Sequence, residues 1–186
     1  MRIISGKFKG LNLYGPKDKK IRPLKDMVRE SIFNFLIHSK KISFNLKGAN
    51  VLDLYSGVGS FGLECLSRYA DKIIFVEKEK SAVKILEKNI NKINKKKNIK
   101  IFSSDVLSLI KKNITDLKFN LIFCDPPFKD KNIEILIELI FQKNLLEKNG
   151  LVIIHRDKNT IDKIPACFNV VDERIYGISK IIFGNF

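Results

Sequence analysis

From Val51 onward, short apolar runs alternate with stretches of helical periodicity, and few architectures accommodate that rhythm. Strands are predicted at Val51 to Leu54, Lys72 to Val76, Ile99 to Ser103, Phe119 to Cys124 and, after an Asn149-Gly150 turn, Leu151 to Ile154. Helices are predicted between them, at Gly59 to Tyr69, Glu79 to Ile93, Val106 to Lys111 and Ile133 to Phe141. Parallel strands need long crossovers, so the reading is an α/β fold: a mostly parallel sheet with helices on both faces. Phe168 to Ile175 and Ile178 to Phe183 flank Tyr176-Gly177 as a terminal hairpin. Lys92 to Lys97 reads as a solvated connection.

The chain before Val51 differs in character. Arg2 to Pro16 alternates weakly between Gly6 and Gly10 and reads as a short β-hairpin. Leu24, Val28, Ile32, Phe35 and Leu36 recur at helical spacing, with Pro23 near the start, where a missing N–H costs nothing. Ser39 to Gly48 is a basic, polar connection, which divides the 186 residues into an extension, 1–48, and a body, 49–186. The first 20 residues hold few apolar side chains, so their removal is expected to leave the body folded.

The fourth apolar run stops abruptly at Asp125-Pro126-Pro127-Phe128. Each proline fixes φ and lacks an N–H, so a carboxylate and unpaired carbonyls are held where the sheet opens to solvent. A carboxylate oxygen and a carbonyl oxygen can accept both hydrogens of a flat exocyclic amine while Phe128 stacks on the attached ring. Asp125, Pro126, Pro127 and Phe128 are therefore the expected catalytic residues, and nucleobase amines fit them.

The first strand runs into Asp53-Leu54-Tyr55-Ser56-Gly57-Val58-Gly59-Ser60-Phe61-Gly62, where glycines allow a tight turn and close approach of a ligand. The loop matches the dinucleotide fingerprint GxGxxG, and Glu77 stands at the distance of a ribose-binding acid. Asp53 argues against a pyrophosphate and for a ligand carrying ammonium and sulfonium charges, which is S-adenosylmethionine. Glu77 closes the second strand and suits the ribose hydroxyls; Asp105 closes the third and suits the adenine amine. Tyr55, Ser56, Gly57 and Gly59 of the loop, with Lys78 and Val106 beside the strand-end acids, complete the expected cofactor contacts.

Net charge is +15, and residues 1 to 49 hold 12 Lys/Arg against three acids. That asymmetry suggests a phosphate-facing surface on a separate catalytic core, with Arg2, Lys7, Lys9, Arg22 and Arg29 as candidate RNA contacts. Cys65, Cys124 and Cys167 are scattered singly with only His38 and His155 beside them, so no metal site or disulfide framework is expected. No apolar stretch approaches a membrane span and the N-terminus lacks a signal-peptide core, so the expected location is cytoplasmic.

These motifs together resemble the bacterial 16S ribosomal RNA guanine-N2 methyltransferases of the RsmD type. The resemblance runs nearly end to end. It rests on Arg2-Ile3-Ile4-Ser5-Gly6 with Gly10, on Arg22-Pro23 followed by Asp26, Val28-Arg29-Glu30 and Phe33-Asn34, on Gly57-Val58-Gly59 through Leu63-Glu64 to Leu66-Ser67-Arg68, and on the Asp125-Pro126-Pro127-Phe128 motif. It implies a class I methyltransferase fold, seven strands with the last antiparallel. It also implies methyl transfer from S-adenosylmethionine to one guanine of 16S rRNA in the small ribosomal subunit; the chemistry needs no metal, and the expected partner is a small-subunit particle, met by a monomer. Related proline motifs serve adenine N6 or protein glutamine, and a non-catalytic RNA-binding assembly factor would keep the fold without needing the acids. His155-Arg156 departs from the acidic or neutral pair expected after the fifth strand, and no role is assigned to it.

Overall fold

The computed structural model describes residues 1–16, 24–93, 96–113 and 115–186. Its strands are β1 (Asn50–Leu54), β2 (Lys72–Val76), β3 (Ile99–Phe102), β4 (Phe119–Cys124), β5 (Leu146–Asp157), β6 (Asn169–Tyr176) and β7 (Ser179–Asn185). They form one seven-stranded sheet in the order β3-β2-β1-β4-β5-β7-β6. The pairs from β3 through to β5 are parallel, while β7 runs antiparallel between β5 and β6. This is the class I methyltransferase arrangement, and β7 is the antiparallel strand that completes it.

Side chains alternate across a pleated strand, and the two cores follow from that alternation. Val51, Phe75, Phe123, Ile153 and Phe183 face one way, against helices α1 (Asp26–His38), α2 (Ser60–Ser67) and α3 (Lys80–Asn91). Leu52, Leu54, Ile122, Val152 and Ile182 face the other way, against α4 (Val106–Lys111) and α5 (Ile133–Gln142). Stacked rings tie α1 to the sheet: Phe33 on Phe61 at 5.2 Å, Phe61 on Phe123 at 3.9 Å, and Phe35 on Phe183 at 4.0 Å. Among the described residues no helix is long and apolar enough to cross a membrane.

Three features differ from the sequence reading. β5 begins at Leu146 rather than Leu151, because a register shift between Phe119 and Leu121 of β4 absorbs the Asn149-Gly150 segment within the strand. Pro23, the expected helix start, lies outside the described residues, and α1 begins at Asp26. Lastly, the N-terminal segment is the expected hairpin, with an antiparallel bridge of Arg2 with Asn12 and backbone bonds from Ile3 N to Leu11 O at 3.0 Å and from Leu13 N to Met1 O at 2.9 Å, but it is built into the core rather than separable from it.

What holds that segment is the body. Buried Glu64 of α2 accepts from the N–H of Ile4 at 2.7 Å and of Ser5 at 3.0 Å. Ser67 Oγ accepts from Phe8 N at 2.9 Å and donates to Ser5 O at 2.6 Å. Asn89 of α3 brackets Tyr14, accepting from its N–H at 2.7 Å and donating to its carbonyl at 3.1 Å. Gly6, at φ +83°, passes so close to the Ser67 carbonyl that a Cβ would overlap it. Ile3 and Leu13 are buried in the same cluster as α1, α2 and the sheet, contrary to the expectation that these residues give the core little.

Candidate active site

A cleft of about 710 Å³ opens over the carboxyl ends of β1, β2, β4 and β5, the usual ligand position in such sheets. Three backbone segments build its walls: the loop after β1, the end of β2, and the Asp125-Pro126-Pro127-Phe128 turn after β4. Leu24 and Lys25 ahead of α1, with Ile178 of the β6–β7 turn and Ser179 at the start of β7, close the remaining side.

The glycine loop takes its shape from left-handed backbone at Tyr55 (φ +59°), Gly57 (+54°) and Gly59 (+84°). Ser56 N–H donates to the Val76 carbonyl at 3.1 Å, and Gly59 N–H to the Ser56 carbonyl at 2.8 Å. At Gly59 a Cβ would collide with Leu86, so the turn admits no side chain there. Glu77 sits at the mouth of the loop, accepting from Gly57 N at 2.8 Å and Glu79 N at 2.8 Å. Each oxygen so engaged keeps a lone pair for a further donor. Beside it Ser56 Oγ is buried and has no hydrogen-bond partner among the described residues.

Asp53 is placed differently from the expectation. It is 1% exposed, is absent from the cleft wall, and accepts from Gly62 N at 2.9 Å behind the loop. Burial raises its carboxyl well above the usual carboxylate range; the Gly62 N–H opposes the rise, and Asp125 and Glu77 add to it. Asp53 thus anchors the start of α2 to β1 and supports the loop from beneath. Asp105 is not on the cleft wall either. It caps α4, accepting from Ser108 N at 2.9 Å, and that N–H holds its carboxyl below the ordinary value. Val106 is buried in the second core and does not line the cleft. Lys78 is exposed at the rim.

The proline turn is clamped from β5. Arg156, fully buried, donates through Nη1 to the Pro127 carbonyl at 3.1 Å and through Nη2 to the Asp130 carbonyl at 2.6 Å. Asp162 holds the guanidinium from the other side. Among the described residues no donor reaches the Pro126 carbonyl, which is left as an available acceptor next to Asp125. His155 Nδ1 meets Asp125 Oδ1 at 2.7 Å, and Phe128 stands edge-on to the imidazole at 5.5 Å between centroids. Sequence reasoning gave neither His155 nor Arg156 a role. The available signal was their position, at the carboxyl end of an apolar parallel strand next to β4.

The candidate RNA contacts divide. Arg2, Lys7 and Lys9 are exposed, and Arg2 and Lys9 flank a shallow hollow that also holds Asp26 and Glu30. Arg29 is 0% exposed and donates to the Arg2 carbonyl at 2.5 Å and to Asp26 at 3.0 Å, so it cannot meet a phosphate. It sits on the buried side of α1, where it ties the Arg2 carbonyl to Asp26. Arg22 lies outside the described residues.

The donors and acceptors present fit S-adenosylmethionine: a cleft of nucleoside dimensions, an acid with spare lone pairs, and a buried hydroxyl without a partner. Tyr55, Ser56, Gly57, Glu77 and Lys78 would hold it. No group of His, Cys, Asp and Glu that could bind a metal occurs among the described residues.

The family model described as "Conserved hypothetical protein 95" matches residues 1–185. The "Ribosomal RNA small subunit methyltransferase D" of Buchnera aphidicola subsp. Baizongia pistaciae is 32% identical over 164 residues, 88% of this chain and 79% of the relative. Its counterpart in Escherichia coli strain K12 is 30% identical over 178 residues, 95% of this chain and 85% of the relative. A solved Escherichia coli structure described as a methyltransferase superposes with a TM-score of 0.83 at 27% identity, covering 99% of this chain and 96% of that one. With the glycine loop and the proline turn facing each other across one cleft, this end-to-end match means that the chain belongs to the RsmD-type family of ribosomal RNA small subunit methyltransferases.

Proposed function

We propose that this enzyme methylates the exocyclic N2 amine of one guanine in 16S rRNA, acting as a cytoplasmic monomer on a small-subunit particle. The observation that carries the reading is the pairing of a cleft-facing carboxylate, Asp125, with the unengaged Pro126 carbonyl, opposite the Glu77 end of the cleft. S-adenosylmethionine, when bound, supplies an electrophilic methyl group.

The chain's own residues address the difficulty of the acceptor. A guanine amine is a poor nucleophile because its lone pair is delocalised into the ring. Two hydrogen bonds, to the Asp125 carboxylate and the Pro126 carbonyl, draw the N–H dipoles into line and strengthen as positive charge develops on nitrogen. They favour the transition state over the ground state. The base must leave its stack to reach them, at a cost of a few kcal/mol, and the half-buried Phe128 ring offsets the lost stacking. Arg156 keeps the turn rigid, so the acceptor pair is in place before the base arrives. The exposed Arg2, Lys7 and Lys9 supply phosphate contacts on the N-terminal segment.

The test is methyl transfer from labelled S-adenosylmethionine to small-subunit particles from a strain lacking the enzyme, with the modified base mapped by mass. One N2-methylguanine is expected, and particles carrying inosine at that position, which lacks the 2-amino group, should accept no methyl. Label on adenine, on protein, or on the inosine particles would overturn the reading.

A further inference from the structure

We propose that His155 is a positioning residue of the reaction centre, which fixes the Asp125 carboxylate in one orientation and as an acceptor toward the amine. The inference rests on the role given to Asp125 above. Asp125 Oδ1, His155 Nδ1 and Nε2, and Ser179 Oγ form a continuous chain, with links of 2.7 and 2.9 Å. The three groups come from neighbouring strands: the end of β4, β5, and the start of β7. Their register is therefore set by the sheet itself.

The connectivity is that of a serine hydrolase triad, but the spatial order is reversed. In a hydrolase the hydroxyl faces substrate and the carboxylate is sealed away. Here all three groups border the cleft, but the Asp125 side chain is 22% exposed against 8% for the His155 side chain, and Ser179 is buried. The carboxylate is the member most open to the cleft, so the chain acts on Asp125.

The protonation pattern follows from the partners. An ionised carboxylate only accepts, so Nδ1 carries the hydrogen. In the neutral imidazole Nε2 then presents a lone pair, to which the Ser179 hydroxyl donates. Ser179 selects the tautomer that lets His155 donate to Asp125. With Oδ1 engaged, Oδ2 is the oxygen left for the amine. Without the imidazole, the carboxylate would swing about χ2, a broad torsion, and present that oxygen only part of the time. Phe128, edge-on to the imidazole, braces the same ring that the base would stack near.

The test compares His155→Leu with His155→Asn in single-turnover methylation at saturating RNA and cofactor. The leucine variant should be slower by on the order of 10- to 100-fold, the penalty of a misplaced group. Cofactor affinity by calorimetry should not change. Asparagine offers an N–H near the place of Nδ1–H and should recover most of the rate. With only two histidines in the chain, the wild-type tautomer can be read from imidazole 15N shifts without RNA or cofactor. His155 should carry its hydrogen on Nδ1, and Ser179→Ala should weaken that preference. A wild-type rate in the leucine variant, an asparagine variant as slow as leucine, or an Nε2–H tautomer would each overturn the proposal. If Asp125→Ala also kept the wild-type rate, the role of Asp125 itself would fall. A slow Asp125→Ala beside an unaffected His155→Leu would sink only the positioning.

Discussion

Arg156 and Asp162 form a two-pronged ion pair, Nε to Oδ2 at 2.8 Å and Nη2 to Oδ1 at 2.9 Å, with side chains 0% and 5% exposed. The fork geometry matters because it leaves one Nη1 and one Nη2 hydrogen aimed at the turn that carries Pro126 and Pro127. Removing one member of such a pair strands the other. Asp162→Ala should therefore lower unfolding free energy by about 3–5 kcal/mol, and Arg156→Lys, which keeps charge but not the fork, should slow methylation. Urea denaturation and single-turnover rates check both. An Asp162→Ala protein within about 1 kcal/mol of wild type would refute the clamp.

The N-terminal segment is predicted to be structural as well as RNA-facing. Deleting residues 1–16 removes the burial of Ile3 and Leu13, worth about 1.5–3 kcal/mol each, and leaves Glu64, Ser67 and Asn89 without their backbone partners. That loss is a large part of a typical stability of about 5–15 kcal/mol. The truncated chain should unfold at much lower urea or fail to accumulate in soluble form. Cooperative unfolding at the wild-type midpoint would contradict this.

Asp53 predicts a pH dependence. Burial raises its carboxyl in the folded protein above the unfolded value of about 3.9. Its contribution is thus fully present below the unfolded value and is lost as pH rises through the folded one, because the native state holds a proton that the unfolded chain has released. Asp53→Asn keeps an acceptor for Gly62 N–H and does not ionise. From about pH 4 upward the asparagine variant should gain stability relative to wild type, then level off. A difference independent of pH across urea titrations would exclude the mechanism.

Arg29 and its exposed neighbours should separate in two assays. Alanine at Arg2, Lys7 or Lys9 should weaken RNA binding and reduce the log–log salt slope by about 0.7–0.9 per lost phosphate contact. Arg29→Ala should instead lower stability, because it frees the Arg2 carbonyl and empties a sealed position on α1. Binding titrations at several salt concentrations, paired with denaturation, discriminate them. A salt slope altered by Arg29→Ala at unchanged stability would reverse this assignment.

The sheet was legible because parallel strands buried on both faces announce themselves as apolar runs, and the glycine and proline motifs punctuate them. What sequence left hidden was the partner of each polar group. Asp53 and Glu77 look alike at strand ends; only the path of the loop seals one beneath its backbone and leaves the other at the cleft. Asp105 carries the same ambiguity, since a strand-end acid and a helix N-cap occupy one position. Arg29 looked solvent-facing because α1 alone does not reveal that the N-terminal segment folds over it. His155 and Arg156 acquire meaning only when β5 pairs with β4 in register, Ile154 beside Cys124.

The strand order also assigns the two proposed ligand positions to different chain segments. The Glu77 and glycine-loop wall is encoded by β1 and β2, and the Asp125 and His155 wall by β4, β5 and β7, with the β1–β4 seam between them. On the proposed assignment, mutational drift in the later segment would retune which amine is accepted while the earlier one kept its hold on the methyl donor, so the architecture permits new acceptors to be acquired without the donor site being reinvented.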